Sequence, residues 1–177
     1  HGRTPPCTES ILKAGFTRVV IGALDPNPLH AGRAVQILQA GGVKVMVGVL
    51  EADCTAVNRA FFKRITTGRP WVIAKAGMSL DGRMTRPPGE GQWLTGPAAR
   101  RDAHRLRVRV DAILVGANTL RIDNPSLTIR GVPVPVHKIQ PWRVVLSRGA
   151  SELPKHAQLF TDEHKDRTLV YSGKSLG

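Results

Sequence analysis

The chain has 177 residues, of which 41% are hydrophobic and 22% charged, as is ordinary for a globular protein of one or two domains. Its 26 lysines and arginines outnumber the 13 aspartates and glutamates, so the formal net charge is +13. No apolar run reaches membrane-spanning length, and two cysteines are too few for a disulfide framework. These features exclude a membrane-spanning helix and a disulfide-stabilised secreted fold, so we expect a cytoplasmic protein without a membrane partner.

The excess of positive charge has three explanations. A nucleic acid would favour a basic face, a small anionic ligand such as a phosphorylated metabolite or NADPH would need a basic pocket, and many surface cations are simply solvated. The basic residues are scattered apart from a dense run over Arg100–Arg109, and aromatic residues, which stack on single-stranded bases, make up 5% of the chain. We therefore expect no nucleic-acid partner. A basic nucleic-acid-binding module stays the alternative, which a salt-dependent shift with DNA or RNA would test.

Up to residue 66 the sequence alternates between helical and strand patterns. Apolar residues at helical spacing predict helices over Glu9–Phe16, Arg33–Gly42 and Cys54–Thr66. Runs of β-branched apolar residues predict strands over Arg18–Leu24 and Val43–Leu50. Cys54 has no partner motif, so we interpret it as a packing residue. The sequence TGRP at Thr67–Pro70 interrupts the alternation and predicts a domain boundary.

After this break a second series of elements is predicted. Short apolar runs predict strands over Trp71–Ala76, Asp111–Gly116, Trp142–Ser147 and Arg167–Gly173. A turn is expected at Asp81–Gly82, a helix capped by Thr95 after it, and a proline-rich loop over Arg130–Pro141. Strands that alternate with helices predict an α/β protein whose mostly parallel sheet is covered on both faces. The chain stops directly after the last predicted strand, so we expect it to be cut at that end.

Six sequence blocks follow one another along the chain. They are HGRTPPC (1–7), DPNP (25–28), KAGMSLDGRM (75–84), GEGQWLTGPAARRDAHRLR (89–107), DAILVGANTL (111–120) and DNPSLTIR (123–130). Together they resemble the bifunctional riboflavin-biosynthesis deaminase–reductase family. The resemblance implies the C-terminal half of a cytidine-deaminase-like domain over 1–66, a linker over 67–70, and the N-terminal part of a dihydrofolate-reductase-like domain over 71–177. A truncated protein that keeps its fold without catalysis is the alternative.

In this family one histidine and two cysteines hold the deaminase zinc, and the resemblance matches Cys7 to the second cysteine. The other ligands and the catalytic glutamate would lie before residue 1, and one thiolate cannot hold Zn²⁺, which needs three or four protein ligands. We therefore expect Cys7 to be a zinc ligand only in the full-length protein; without the resemblance it would be an inert loop thiol. Arg3 and Thr4 match positions near the phosphoribosyl part of the substrate, although Arg3 is equally compatible with a solvated loop charge.

The resemblance implies that the second half transfers hydride from NADPH to the ribosyl group of a phosphorylated, nucleotide-like pyrimidine, which becomes a ribityl chain. It matches Lys75 and Asp123 to charged residues beside the reacting sugar carbon. Lys75 would stabilise negative charge or donate a proton, and Asp123 would orient the sugar hydroxyls or the cofactor. Without the resemblance, Lys75 is a lysine that extends to solvent and Asp123 is a turn-forming residue.

Contacts with NADPH carry over to Gly77, Trp93, Thr119 and Asp123. Gly77 has no Cβ and would let a ligand approach the backbone closely. Thr119 follows a predicted strand at an expected helix start, where free N–H groups favour phosphate. Trp93, taken without the resemblance, is more typical of a core aromatic residue.

Contacts with the substrate carry over to Gly91, Arg107, Leu127 and Arg130. We expect Arg107 and Arg130 to bind the substrate phosphate, because a guanidinium group binds phosphate through two parallel hydrogen bonds. Taken alone, Arg107 is one arginine in a run of five and would be a solvated helix charge. Gly91 stands where the family often has serine, so any contact there falls to the backbone. Association of identical chains is left open.

Overall fold

The structure is a computed structural model that describes residues 6–30, 32–85, 93–148 and 153–173. Its internal contacts divide the chain into two units, His1–Lys75 and Ala76–Gly177. No helix among the described residues is long and apolar enough to cross a membrane. The expected linker at 67–70, and the domain roles on either side of it, stay predictions.

The first unit alternates helices with two parallel strands. Its elements are α1 (Cys7–Lys13), β1 (Arg18–Ile21), α2 (Arg33–Ala40), β2 (Lys44–Val47), α3 (Glu51–Val57) and α4 (Arg59–Thr67). In the sheet, Arg18 of β1 pairs with Lys44 of β2. α1 and α2 approach closely, since a Cβ added to Gly41 would lie 2.3 Å from Leu12 Cδ2. This crossing therefore favours glycine directly after α2.

The helix predicted over Cys54–Thr66 is present as two helices, α3 and α4, which meet at Asn58. The Asn58 side-chain amide donates to the Cys54 carbonyl at 3.0 Å. A side chain that takes a helical carbonyl competes with the backbone pattern and interrupts the helix.

The interpretation of Cys54 as a packing residue is confirmed, because a Cβ added to Gly22 would lie 2.1 Å from the Cys54 Sγ.

The second unit is built on a parallel sheet. Its elements are α5 (Pro97–Val108), β3 (Ala112–Gly116), α6 (Ala117–Asp123), β4 (Trp142–Ser147), α7 (Gln158–Thr161), a 3₁₀ turn (Lys165–Arg167) and β5 (Thr168–Ser172). β4 lies between β3 and β5, and both pairings are parallel. The predicted α/β class with parallel strands is confirmed. The loop predicted over Arg130–Pro141 lies in the connection between α6 and β4.

One face of this sheet forms the core of the second unit. Residues of α6, of the loop after it and of the α7 region cluster around Val145 at the centre of β4: Ala117, Leu120, Leu127, Ala157 and Leu159. On the opposite face, Leu114 and Tyr171 are 59% and 60% exposed. α6 and α7 both pack on the Val145 side, whereas on the opposite face Val144 of β4 is only 8% exposed between exposed neighbours. Cover on both faces of the sheet therefore stays a prediction.

A buried ion pair joins β4 to the residue after α7. Arg143 is 1% exposed, and its Nη1 and Nη2 donate to the two carboxylate oxygens of Asp162 at 2.6 and 2.9 Å. Nη2 also donates to the Leu159 carbonyl at 3.0 Å, and Nη1 to the Ser126 carbonyl at 3.2 Å. These hydrogen bonds from Arg143 lower the pKa of Asp162. One guanidinium group thus connects three segments of the second unit.

The strand predicted over Trp71–Ala76 is absent. These residues pair with no strand among the described residues, and an apolar run becomes a strand only where another strand completes its hydrogen bonds. Trp71 instead lies beneath the side-chain cations of Arg59 and Lys63, which are 5.7 and 5.5 Å from its ring centre.

The helix predicted to be capped by Thr95 has its cap one residue later. Pro97 is its first residue and Gly96 is its N-cap, so the expected Thr95 cap is wrong. Proline suits this position because its fixed φ is helical and its missing N–H would have had no partner.

The turn expected at Asp81–Gly82 is confirmed by the hydrogen bond from Gly82 N to Ser79 O, 3.0 Å long.

Candidate functional site

Helix α5 presents two polar side chains to the loop that follows α6. His104 and Arg107 are three residues apart, a spacing that places both on one face of a helix. Both are half-buried, whereas their neighbours Arg105 and Arg109 are exposed. The structure therefore distinguishes Arg107 from the adjacent arginines of the basic run.

The loop that faces α5, residues 126–130, has a constrained backbone. Leu127 has a φ of 52°, in the left-handed region that residues with a side chain rarely adopt. Its side chain is 5% exposed and belongs to the core, and Thr128 and Ile129 are buried beside it. This burial stabilises the unfavourable conformation and gives the loop a defined shape. Leu127 therefore has only its backbone to offer to a ligand.

Both polar side chains of α5 bind the backbone of this loop. Arg107 Nη1 donates to the Thr128 carbonyl at 2.8 Å. His104 Nδ1 accepts a hydrogen bond from the backbone N–H of Arg130 at 3.1 Å. One helix face thus holds the loop at two points, two residues apart.

The other side of the loop is held by residues near β4. The Ile129 N–H donates to Gln140 Oε1 at 2.7 Å, and the Gln140 amide donates back to the Ile129 carbonyl at 3.4 Å. The buried Arg143 donates to the Ser126 carbonyl. The loop is therefore held from both sides before any ligand binds.

Two guanidinium groups, those of Arg107 and Arg130, donate hydrogen bonds to this loop. Burial and the neighbouring charge of Arg130 lower the pKa of Arg107, which nonetheless stays cationic at neutral pH. Arg130 Nη1 donates to the Ser126 hydroxyl, which lies 3.2 Å from the Thr128 hydroxyl. Among the described residues, no carboxylate forms an ion pair with either arginine. Two cations and two hydroxyls without a counter-charge form an arrangement suited to an anion.

Burial also lowers the pKa of His104, and the charges of Arg107 and Arg130 act in the same direction. The Thr128 carbonyl opposes them. His104 is therefore neutral at pH 7, as its role as an acceptor through Nδ1 requires.

The predicted cofactor residues Thr119 and Asp123 both lie on α6. The helix begins at Ala117, so Thr119 is in its first turn rather than at its start. Asp123 is its last residue and is exposed, and its carboxylate makes no hydrogen bond or ion pair within the described ranges. The side chain of the next residue, Asn124, makes a long-range contact: its Oδ1 accepts from the N–H of Gln158, the first residue of α7, at 2.8 Å. The described contacts leave the Asp123 carboxylate without a turn-forming role.

The remaining predicted residues are not joined to this site by a hydrogen bond, ion pair or ring contact of the described chain. Lys75 is exposed and ends the first unit. Gly77 is half-buried at the start of the second unit. Trp93 is 59% exposed, and the Arg100 guanidinium lies 5.0 Å from its ring centre, so it is not a core aromatic residue.

Three predicted substrate contacts, Arg3, Thr4 and Gly91, lie outside the described residues. Cys7 is exposed at the first position of α1. The described part of the chain contains no group of three side chains able to hold a metal ion.

His104, Gln140 and Arg143 hold the loop and were not predicted from the sequence. A signal for His104 was present, since it precedes Arg107 by three residues within a predicted helix. Gln140 and Arg143 carried no local signal, because each acts on a loop segment more than ten residues earlier in the chain.

These features define an α/β protein with parallel strands and a preformed cationic site suited to a phosphate group. Residues 70–175, more than half of the chain, match the family described as the RibD C-terminal domain. The chain belongs to this family.

The chain is 45% identical over 175 residues to the riboflavin biosynthesis protein RibD of Synechocystis sp., an alignment that covers 99% of this chain and 46% of that protein. Among solved structures, RibD of Acinetobacter baumannii aligns with a TM-score of 0.86 and 37% identity over 99% of this chain and 49% of that one. A diaminohydroxyphosphoribosylaminopyrimidine deaminase/5-amino-6-(5-phosphoribosylamino)uracil reductase from Thermotoga maritima aligns with a TM-score of 0.85 and 34% identity over 100% and 48%. The chain spans about half the length of these relatives.

Proposed function

We propose that the second unit carries a reductase site of riboflavin biosynthesis, in which Arg107 and Arg130 bind the phosphate of 5-amino-6-(5-phosphoribosylamino)uracil. The observation that carries this proposal is that Arg107 and Arg130 both donate hydrogen bonds to the 126–130 loop and that no described carboxylate neutralises either guanidinium group. A phosphate supplies that counter-charge and accepts hydrogen bonds from both groups and from the Ser126 and Thr128 hydroxyls. The activity named for the Thermotoga maritima relative supports the choice of substrate.

The proposed reaction adds a hydride to C1′ of the ribosyl group and a proton to the ring oxygen, which opens the sugar to a ribityl chain. NADPH, when bound, supplies the hydride and leaves as NADP⁺. The protein's part is to hold the sugar carbon in line and to exclude alternative orientations. The phosphate site fixes one end of the substrate, and Asp123 orients the sugar hydroxyls or the cofactor. The donation of the proton, or the stabilisation of negative charge, is assigned to Lys75 by the family resemblance alone.

The residues proposed for NADPH fit such a ligand in three respects. The first turn of α6 carries backbone N–H groups that have no partner within the helix, and Thr119 lies in this turn. The exposed ring of Trp93, with the Arg100 cation beside it, is available to a planar or anionic group. Gly77 would allow close approach to the backbone.

For the first unit we propose the C-terminal half of a cytidine-deaminase-like domain, on the basis of its HGRTPPC and DPNP blocks. In that setting Cys7 is a zinc ligand of the full-length protein, and Arg3 and Thr4 contact the substrate. Cys7 stands without two further ligands among the described residues, which do not fit a zinc ion. No deamination step is assigned to this chain.

The test is steady-state reduction by the full-length protein that carries this sequence, with NADPH and the phosphorylated substrate. Arg107→Ala removes a charged phosphate contact of about 2 kcal/mol, so kcat/KM falls roughly thirtyfold, mainly through KM. Arg105→Ala removes an exposed arginine of the same helix and leaves kcat/KM unchanged. A wild-type kcat/KM in Arg107→Ala would remove this residue from the substrate site.

A further inference from the structure

His104 contacts the loop that carries Arg130 but lies in none of the positions matched to substrate or cofactor. We propose that His104 is a positioning residue, whose neutral imidazole holds the backbone of Arg130 so that its guanidinium group meets the phosphate together with Arg107. This inference rests on the proposed phosphate site.

The geometry shows how one helix face controls the loop. His104 Nδ1 accepts from the Arg130 N–H at 3.1 Å, while Arg107, one turn further along α5, donates to the Thr128 carbonyl at 2.8 Å. The first contact fixes the backbone from which the Arg130 side chain departs. The second keeps Arg107 beside it. The two cations are therefore brought together at a cost in mutual repulsion that these backbone contacts offset.

The contact requires one protonation state. An imidazole accepts through Nδ1 only when it is neutral and carries its proton on Nε2. The charged groups that act on it are Arg107 from α5 and Arg130 from the loop, both of which lower its pKa, while the Thr128 carbonyl raises it. Both cations disfavour a third positive charge at this place, so the arrangement that assembles the phosphate site also keeps His104 neutral.

The experiment measures binding of ribose 5-phosphate, as a probe of the phosphate site, to the full-length protein by isothermal titration calorimetry. Four variants are compared with wild type: His104→Ala, His104→Asn, Arg107→Ala and Arg105→Ala. Asparagine keeps an acceptor oxygen at the δ position and has a helix propensity close to that of histidine. The ¹⁵N shifts of the His104 ring report its tautomer in the wild-type protein.

We expect His104→Ala to weaken binding about fivefold, the equivalent of one ordinary hydrogen bond, and His104→Asn to bind within about twofold of wild type. Arg107→Ala is expected to weaken binding more than His104→Ala, and Arg105→Ala is expected to have no effect. Wild-type His104 is expected to carry its proton on Nε2.

Unchanged binding in His104→Ala, beside weakened binding in Arg107→Ala, would overturn the positioning role and leave the phosphate site in place. Equal losses in His104→Asn and His104→Ala would also overturn it, because packing rather than the acceptor would then matter. A proton on Nδ1 in the wild-type protein would do the same. If ribose 5-phosphate does not bind, or binds unchanged to Arg107→Ala, the proposed phosphate site fails and this inference fails with it.

Discussion

The buried Arg143–Asp162 pair provides a prediction whose size follows from the structure. In Asp162→Asn the guanidinium group, 1% exposed, loses the negative charge that it contacts through both terminal nitrogens at 2.6 and 2.9 Å. Removing one partner of a buried pair costs about 3–5 kcal/mol. The Asp162 side chain is 25% exposed, so water offsets part of this loss and we expect about 3 kcal/mol. The measurement is urea unfolding at pH 7, followed by circular dichroism.

The matched control is Asp81→Asn, which breaks the exposed Asp81–Arg83 pair with the same substitution. The side chains of Asp81 and Arg83 are 65% and 73% exposed, so we expect the variant to show no measurable change in the free energy of unfolding. Equal changes in the two variants would refute the argument that burial sets the strength of the pair. Because Arg143 also holds the Ser126 carbonyl, Asp162→Asn should weaken ribose 5-phosphate binding as well.

The pH dependence of the same pair has a definite sign. Hydrogen bonds from Arg143 lower the pKa of Asp162 from its ordinary value of 3.8. The folded state therefore binds this proton less readily than the unfolded state. The stabilisation is fully present above the unfolded value and is lost as the pH falls through the lowered pKa. The difference in stability between wild type and Asp162→Asn should accordingly shrink below about pH 3.8; a constant difference would contradict this assignment.

Three further outcomes are expected. Asp123→Asn in the full-length protein should lower the rate of reduction strongly, because the exposed Asp123 carboxylate has no described side-chain partner and is left for ligand contact. A wild-type rate of reduction in this variant would remove Asp123 from the proposed site. Gly22→Ala should destabilise the first unit by about 1–3 kcal/mol in thermal unfolding, since the new Cβ would lie 2.1 Å from the Cys54 Sγ; Gly173→Ala, with no atom within 4 Å, is the control and should leave unfolding unchanged. The 177-residue chain, washed with chelator, should contain no stoichiometric zinc by elemental analysis, because Cys7 lacks described co-ligands; one zinc per chain would contradict this.

Local sequence determined those helices and strands in which the intrinsic preference of the residues matches their place in the fold. The apolar run at Trp142–Ser147 forms β4 with the predicted bounds, because every residue in it suits a strand lying between two others. The break at Asn58 could not be predicted from apolar spacing, because that spacing continues through Asn58. The Asn58 side chain hydrogen-bonds to a helical carbonyl and divides the helix. The family, and with it the expected roles of Arg107 and Arg130, followed from sequence blocks rather than from periodicity.

Only the tertiary structure decided which strand patterns become strands and which arginines can act together. Trp71–Ala76 has the composition of a strand but no partner among the described residues, and a strand exists only through hydrogen bonds that another segment completes. Arg107 and Arg105 are the same type of residue on the same helix. Arg107 differs in its environment, because the chain returns after α6 and places Thr128 and Arg130 against its face of α5. Arg107 and Thr128 are 21 residues apart in the sequence, and their hydrogen bond forms only because the fold brings them together. The order of residues alone does not specify that distance in space.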